Sequence, residues 1–363
     1  MPSPNKPDRS SLRVALIGAG TSSQVIWLPA LHACGLEVKA VVDPDPLIRD
    51  RLSPQLEMAG FFTELSEGSL QSADLAIVAS PNRFHSEQAL FCLSLGIPVV
   101  IEKPACFTLK EAERIIATAR SEKTPFWCSA ASTFRRDVHA VGQLASQGAL
   151  GEIFHISLSW RRAQGVPRPG SWFTNKDMAI GGSGADIGWH LLDVGLGYLG
   201  YPPIQRGIHM SRPLSAVQTT QGSTWYGSET NPKRNDANNQ FDVENHMAAA
   251  LSTHNCHLTL LTSWSSQQRF DATEIRVLGT KAEVDLDCSF GFSPNGVRNS
   301  FLKIFRNGSE DRQVFSEARK IDPYIRFAEH VASDLVEGGC DLEHEATKLR
   351  SLSSAMQVLY PQV

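Results

Sequence analysis

The stretch GGSGADIGWHLLDV, residues 181–194, sets Asp186, His190 and Asp193 at offsets of four and three, directly after a cluster of glycines. Residues four apart share a helix face, so this spacing predicts one stripe of acid, imidazole and acid. Three chemistries fit such a stripe. It can satisfy itself as a core ion pair, offer two ligands to a metal, or act as an acid–base relay in which Asp186 orients His190. Imidazole titrates near working pH, which suits His190 to accepting and returning a proton. A metal site needs further ligands. The other pairing, His254 with His257, falls on a polar turn between strand-like runs, and no third ligand has convincing spacing, so no metal is expected. Asp193 reads as scaffolding.

A second group with chemistry to offer is Gly18-Ala19-Gly20, closing the apolar run LRVALIGAG (12–20). Glycines let a backbone turn tightly against a pyrophosphate, and a helix beginning at Thr21 would add N–H donors and its positive dipole end. Gly18, Gly20, Thr21, Ser22 and Ser23 are the expected phosphate contacts. Ser23 stands where G-x-G-x-x-G has its third glycine, small enough to pack and able to donate to a phosphate. Asp43 ends the second strand, 23 residues after Gly20. A carboxylate there hydrogen-bonds ribose hydroxyls and repels a 2′-phosphate, so NAD is expected over NADP.

These groups need rigid elements to hold them. The runs LRVALIGAG (12–20), EVKAVVD (37–43), LAIVAS (75–80), IPVVIEK (97–103) and PFWCSA (125–130) read as strands buried on both faces. Helical patterns lie between them at 84–96 and 108–123, the latter opening with Thr108 and Glu111 as a capping box. Such alternation predicts a parallel sheet covered by helices. One more helix follows within RRDVHAVGQLASQG. Thereafter GEIFHISLSW (151–160), MAAALST, HLTLLTSWSS, TEIRVLGTKAEVDLD and FLKIFRNGSEDRQVF alternate as half-exposed antiparallel strands. Helices at about 322–338 and 343–359 close the chain. Residues 221–240 read as a long loop. The expected division is a disordered tail at 1–10, a dinucleotide-binding domain at 11–130 and a second domain at 131–363.

Composition narrows the function classes. The 363 residues are 42% hydrophobic and 20% charged, the balance of a globular protein of two domains. A formal charge of −4 gives no reason to expect nucleic acid or an anionic membrane as partner. No apolar run approaches the length of a membrane span. The opening MPSPNKPDRS lacks the apolar core of a signal peptide, and Asn307-Gly308-Ser309 reads as a hairpin turn. Seven scattered cysteines without a C-x-x-C pair read as reduced thiols, so a cytoplasmic location is expected.

VVIEKP (99–104), after SPNRFH (80–85), together with GALGEI (148–153) and the D-x-x-x-H spacing of Asp186 and His190, resembles the Gfo/Idh/MocA family of sugar and cyclitol oxidoreductases over nearly the whole chain. The resemblance implies an α/β protein: an N-terminal Rossmann domain, then a C-terminal α/β domain for substrate binding and oligomerisation. The latter's large, mostly antiparallel open sheet commonly joins copies, here as a homodimer or homotetramer. It implies hydride exchange between a nicotinamide and a polyol, sugar, amino sugar or cyclitol, with Lys103 and His190 facing the reacting carbon and Asp186 supporting them. Ser80, Asn82, His85, Glu102 and Lys103 would lie along the cofactor. Thr133-Phe134 stands where the family usually has Arg-Phe, with Arg135 and Arg136 following.

On that implication Lys103, at the carboxyl edge of the sheet, donates to the substrate oxygen and stabilises developing alkoxide charge, while Pro104 restricts it to extended backbone. The Pro/Gly-rich loop 161–177 precedes the acid–imidazole stretch and is suited to forming a pocket wall. Trp172 offers a flat face to a sugar ring there, and Arg162, Arg168 and Asn175 offer polar contacts. Two other functions remain in view: an NAD-binding regulator of the same fold without chemistry, and a glycosidase using NAD for transient oxidation.

Overall fold

A computed structural model describes residues 12–212, 241–317 and 319–362. The expected tail at 1–10 and loop at 221–240 lie outside the described residues. The chain divides into two compact units. One holds the described residues within Met1–Cys106, Lys110–Ala131 and Pro323–Ala346, the other those within Phe107–Leu109, Ser132–Asp322 and Thr347–Val363.

The sheet of the first unit contains β1 (Arg13–Ile17), β2 (Glu37–Val42), β3 (Gly60–Phe62), β4 (Leu75–Val78), β5 (Val99–Ile101) and β6 (Phe126–Cys128). They run parallel in the order β3-β2-β1-β4-β5-β6. Val14 to Ile17 and all of β4 and β5 are buried on both faces, which is why these strands read as unbroken apolar runs. The strand order reverses between β1 and β4, so their following loops diverge and open a crevice at the carboxyl edge. The helices His85–Ser94 and Leu109–Glu122 lie near their expected positions. β3, three residues on the sheet edge, is too short to carry a periodic signal. The closing segment 323–346 clusters with this unit: Trp127 Nε1 donates to Asp334 Oδ2 at 3.1 Å and Cys128 N–H to Glu345 Oε2 at 3.0 Å.

The second unit is built on β7 (Ile153–Arg161), β8 (Arg206–Arg212), β9 (His246–Ser252), β10 (His257–Ser263), β11 (Ala272–Gly279), β12 (Glu283–Cys288), β13 (Asn299–Arg306) and β14 (Ser309–Ser316). Their order is β14-β13-β12-β11-β7-β10-β9-β8, antiparallel except for the central β7–β10 pair. β13 and β14 join through Asn307 and Gly308 at φ +50° and +79°, the two positive angles a tight hairpin requires. Burial alternates along β9, β10, β11 and β12, with one face toward the core. Among the described residues no helix is long and apolar enough to cross a membrane.

The stretch 181–194 is not one helix. Ser183–Asp186 forms a single turn, Ile187 lies at φ −100° and ψ −23°, and Gly188–Gly197 forms the next helix. Asp186 therefore ends one turn and His190 lies in the opening turn of the next helix, with Ile187 between them still in the right-handed helical region and its N–H on Ser183 O at 3.0 Å.

Candidate functional site

In the first unit the turn after β1 is held by steric necessity. Gly18 has φ +84°, and a Cβ there would stand 2.6 Å from Ser80 Cα, so only glycine lets the turn lie against the end of β4. A Cβ at Gly20 would meet nothing within 4 Å. Its glycine leaves open space at the start of a helix, the cradle a pyrophosphate would fill, so this turn fits a dinucleotide. Thr21 is exposed and Ser22 half-buried at that start. The helix carries one π turn, Ser23–Trp27, closed by Leu28 N–H on Ser23 O.

Ser23 is fully buried, and its hydroxyl donates to Gly18 O at 2.5 Å. The hydroxyl expected to meet a phosphate instead closes the glycine turn on itself, which is how serine serves in the third glycine's place. Asp43, buried, accepts Ala19 N–H on Oδ2 at 2.8 Å and Asp45 N–H on Oδ1 at 2.9 Å. Its carboxylate is thus fixed beneath the glycine turn, with acceptor capacity left on both oxygens.

At the end of β4, Ser80 Oγ donates to Gln88 Oε1 at 2.6 Å, and Asn82 opens a short 3₁₀ turn. His85 is only 1% exposed, with Nε2 2.7 Å from Ser80 O and Nδ1 2.8 Å from Pro104 O. Both ring nitrogens are engaged by backbone, so His85 ties two loop tips together where a cofactor contact was expected. Burial holds its pKa below the ordinary value, against the backbone hydrogen bonds at Pro104 and Ser80. After β5, Glu102 accepts Trp27 Nε1–H at 2.9 Å and Ser129 Oγ–H at 3.2 Å on Oε1, and Lys103 N–H at 2.9 Å on Oε2. Glu102 is therefore an anchor for the backbone of the half-buried Lys103.

In the second unit His190, 8% exposed, places Nδ1 3.1 Å from Ser132 Oγ, and its ring centroid lies 5.9 Å from that of Trp160. Asp186, 7% exposed, accepts Trp264 Nε1–H on Oδ2 at 2.9 Å, with Arg162 Nη1 3.5 Å from the same oxygen. Arg162 is itself buried and lies over the Trp160 ring at 5.2 Å. Arg162, the expected substrate contact, balances the charge of Asp186, without which a buried carboxylate would be costly. Asp193 accepts the Tyr201 hydroxyl at 2.8 Å and lies 3.6 Å from Lys348 Nζ, a structural setting.

The loop residues separate by role. Trp172 is half-buried and stacks on Phe173 with centroids 3.8 Å apart. Asn175 Oδ1 accepts Asp177 N–H at 2.8 Å, capping the turn Lys176–Ala179, and Arg168 is exposed. Arg135, beside the departed Arg-Phe position, donates to Asp137 at 3.0 and 2.6 Å and to Ser289 O at 3.1 Å. Among the described residues no three His, Cys, Asp or Glu side chains gather as a metal site would require. Sequence reasoning missed Ser132, Trp264 and Trp27. Ser132 alone had a signal, its place just before Thr133-Phe134.

Residues 12–129 match the oxidoreductase family with NAD-binding Rossmann fold, GFO_IDH_MocA, and residues 138–285 match the GFO/IDH/MocA C-terminal domain. The chain belongs to the Gfo/Idh/MocA family of NAD(P)-binding oxidoreductases. It is 34% identical to a protein of Amycolatopsis mediterranei (strain S699) named for the oxidoreductase subunit of UDP-kanosamine synthase, covering 91% of this chain and 90% of that one. It is 31% identical to D-glucoside 3-dehydrogenase of Escherichia coli (strain K12), covering 68% of each. GenD2 from gentamicin A biosynthesis, solved in complex with NAD, shares the fold at a TM-score of 0.73 and 20% identity, covering 97% of this chain and 94% of that one. Other relatives carry NADP in their names, so membership of the family leaves the choice between the two cofactors open.

Proposed function

We propose that this protein is an NAD-dependent dehydrogenase that removes hydride from the C3 secondary alcohol of a hexopyranosyl unit, leaving a 3-keto sugar. The family supports the broader statement, an NAD(P)-dependent oxidoreductase of sugar, amino sugar or cyclitol hydroxyls. The observation that carries the finer one is the 31% identity to D-glucoside 3-dehydrogenase over two thirds of both chains. NAD is favoured by Asp43, whose fixed carboxylate accepts ribose hydroxyls and repels a 2′-phosphate.

A bound nicotinamide supplies the hydride acceptor. His190 Nδ1 lies 3.1 Å from Ser132 Oγ; the proposed role takes the tautomer in which Nδ1–H donates to that hydroxyl and Nε2 keeps the lone pair that takes the alcohol proton. Asp186, held by Trp264 and Arg162, keeps a fixed negative charge in this part of the unit and favours the protonated ring. Lys103, its backbone fixed by Glu102, donates to the alcohol oxygen and stabilises alkoxide character. Trp172 presents a ring face to the sugar. Reduction of a 3-keto sugar runs through the same groups in reverse. Copies associate, as a homodimer or homotetramer, through the outward sheet face that exposes Ile208, Met210, Phe301 and Val314.

An NAD+ reduction screen over methyl glucosides, nucleotide-linked hexoses, amino sugars and inositols tests this reading. Turnover on hexopyranosides is expected, lost in Lys103→Ala and His190→Ala while both still bind NAD. NAD binding with no turnover on any substrate would instead indicate the regulator. Release of free sugar without net NADH would indicate the glycosidase.

A further inference from the structure

The glycines before Asp186 are the footprint of two residues far along the chain. Tyr360, just beyond the helix Leu342–Leu359, donates its hydroxyl to Glu244 Oε1 at 2.7 Å. The same carboxylate accepts Gly184 N–H on Oε1 and Gly182 N–H on Oε2, both at 2.9 Å. Side chains are excluded at these positions. A Cβ at Gly181 would strike the Tyr360 ring, and one at Gly182 would strike the Glu244 carbonyl. One at Gly184 would stand 2.6 Å from Tyr360 Oη and 2.5 Å from Met247 Sδ. Phe107 packs edge-on against the Tyr360 ring with centroids 5.7 Å apart, and Ser183 Oγ lies 3.0 Å from Thr262 Oγ1. Burial, and then the charge of Glu244, hold the phenol well above its ordinary pKa, so it remains a donor at neutral pH.

We propose that Glu244 and Tyr360 are positioning residues for the Asp186–His190 segment. Together they form a buried carboxylate–phenol clamp that fixes the 181–186 backbone, and with it the turn at Ile187 from which the His190 helix departs. The clamp sets the rate of proton and hydride removal while leaving the nucleotide site alone. This rests on the reading of His190 as proton acceptor. Small displacements of a reacting group are enough to lower a rate by orders of magnitude.

The test compares wild type, Glu244→Gln, Tyr360→Phe, the double variant and His190→Ala on the best substrate of the screen, all as the full chain. Tyr360→Phe keeps the ring and removes only the hydroxyl. Each single clamp variant is expected to lower kcat about tenfold, to leave the KM for NAD+ unchanged and to raise the deuterium isotope effect on hydride transfer. The double variant should fall little below either single one, since the two groups act as a unit. Without any cofactor, amide hydrogen exchange at Gly182 and Gly184 should quicken in both single variants. A lowered Tm with unchanged kcat, or multiplicative losses in the double variant, would overturn the clamp. If His190→Ala retains the wild-type rate, the reading of His190 fails, which is a separate result.

Discussion

Replacing Ser132 by alanine removes the partner of His190 Nδ1 and little else. The Oγ–Nδ1 separation is 3.1 Å and both residues are 8% exposed, so no bulk water stands ready to replace the hydroxyl. With the ring neutral, this bond joins two uncharged groups and is worth about 1 kcal/mol. Once His190 has taken the alcohol proton the donor is charged, and the same bond is worth about 2 kcal/mol. Only the difference, about 1 kcal/mol, bears on the chemical step, which corresponds to roughly a fivefold loss in kcat. Folding stability should fall by about 1 kcal/mol, from the bond lost with the ring neutral. The assay is steady-state NADH formation at saturating NAD+, with thermal melts to confirm a folded sample. Ser132→Thr, which restores a hydroxyl, should recover most of the rate. An alanine variant as fast as wild type would refute the role given to Ser132 in holding His190.

Asp43→Ala should raise the KM for NAD+ about tenfold, the effect of losing a charged hydrogen bond, and narrow the preference over NADP; an unchanged ratio of the two cofactors would show that the ribose lies elsewhere. Trp27→Phe removes the 2.9 Å donor to Glu102 and should lower both kcat and thermal stability, with no change in the KM for NAD+ if Glu102 acts only through Lys103. Burial opposes the ionised Asp137, but the adjacent charge and hydrogen bonds of Arg135 outweigh it, so its native pKa lies below the ordinary 3.8. The native state therefore binds fewer protons than the unfolded chain in this range. The stability that Asp137 contributes is complete above the unfolded value and is lost as pH falls through the native one. Urea melts between about pH 5 and pH 3 should show this loss, and Asp137→Asn should flatten the slope.

The parallel sheet was legible because β1, β4 and β5 are buried on both faces and so leave continuous apolar runs. The glycine turn and Asp43 were legible because β1 and β2 are parallel neighbours whose ends lie side by side, within about 25 residues of chain. β8 escaped notice because Arg206–Arg212 is an edge strand whose residues are nearly all exposed, leaving no alternation to detect. The turn at Ile187 could not be read from spacing. It is accompanied by backbone hydrogen bonds from Gly182 and Gly184 to Glu244, some sixty residues away. The partners of Asp186 and His190 are likewise single side chains, Trp264 and Ser132, supplied by distant elements. Contacts of that kind leave no periodic mark. Arg162 and Asn175 had the right chemistry for a pocket, but burial turned one toward Asp186 and local capping occupied the other.

The proposed reaction is hydride removal from C3 of a hexopyranosyl unit with NAD+ as acceptor. Its most direct measurement is the fate of deuterium when the protein turns over a glucoside labelled at C3 alone. Deuterium is expected in the nicotinamide of the NADH formed, with a slowed rate relative to unlabelled glucoside and a 3-keto product. Unlabelled NADH from the C3-deuterated sugar, with label transferred instead from substrate deuterated at C1, would contradict it.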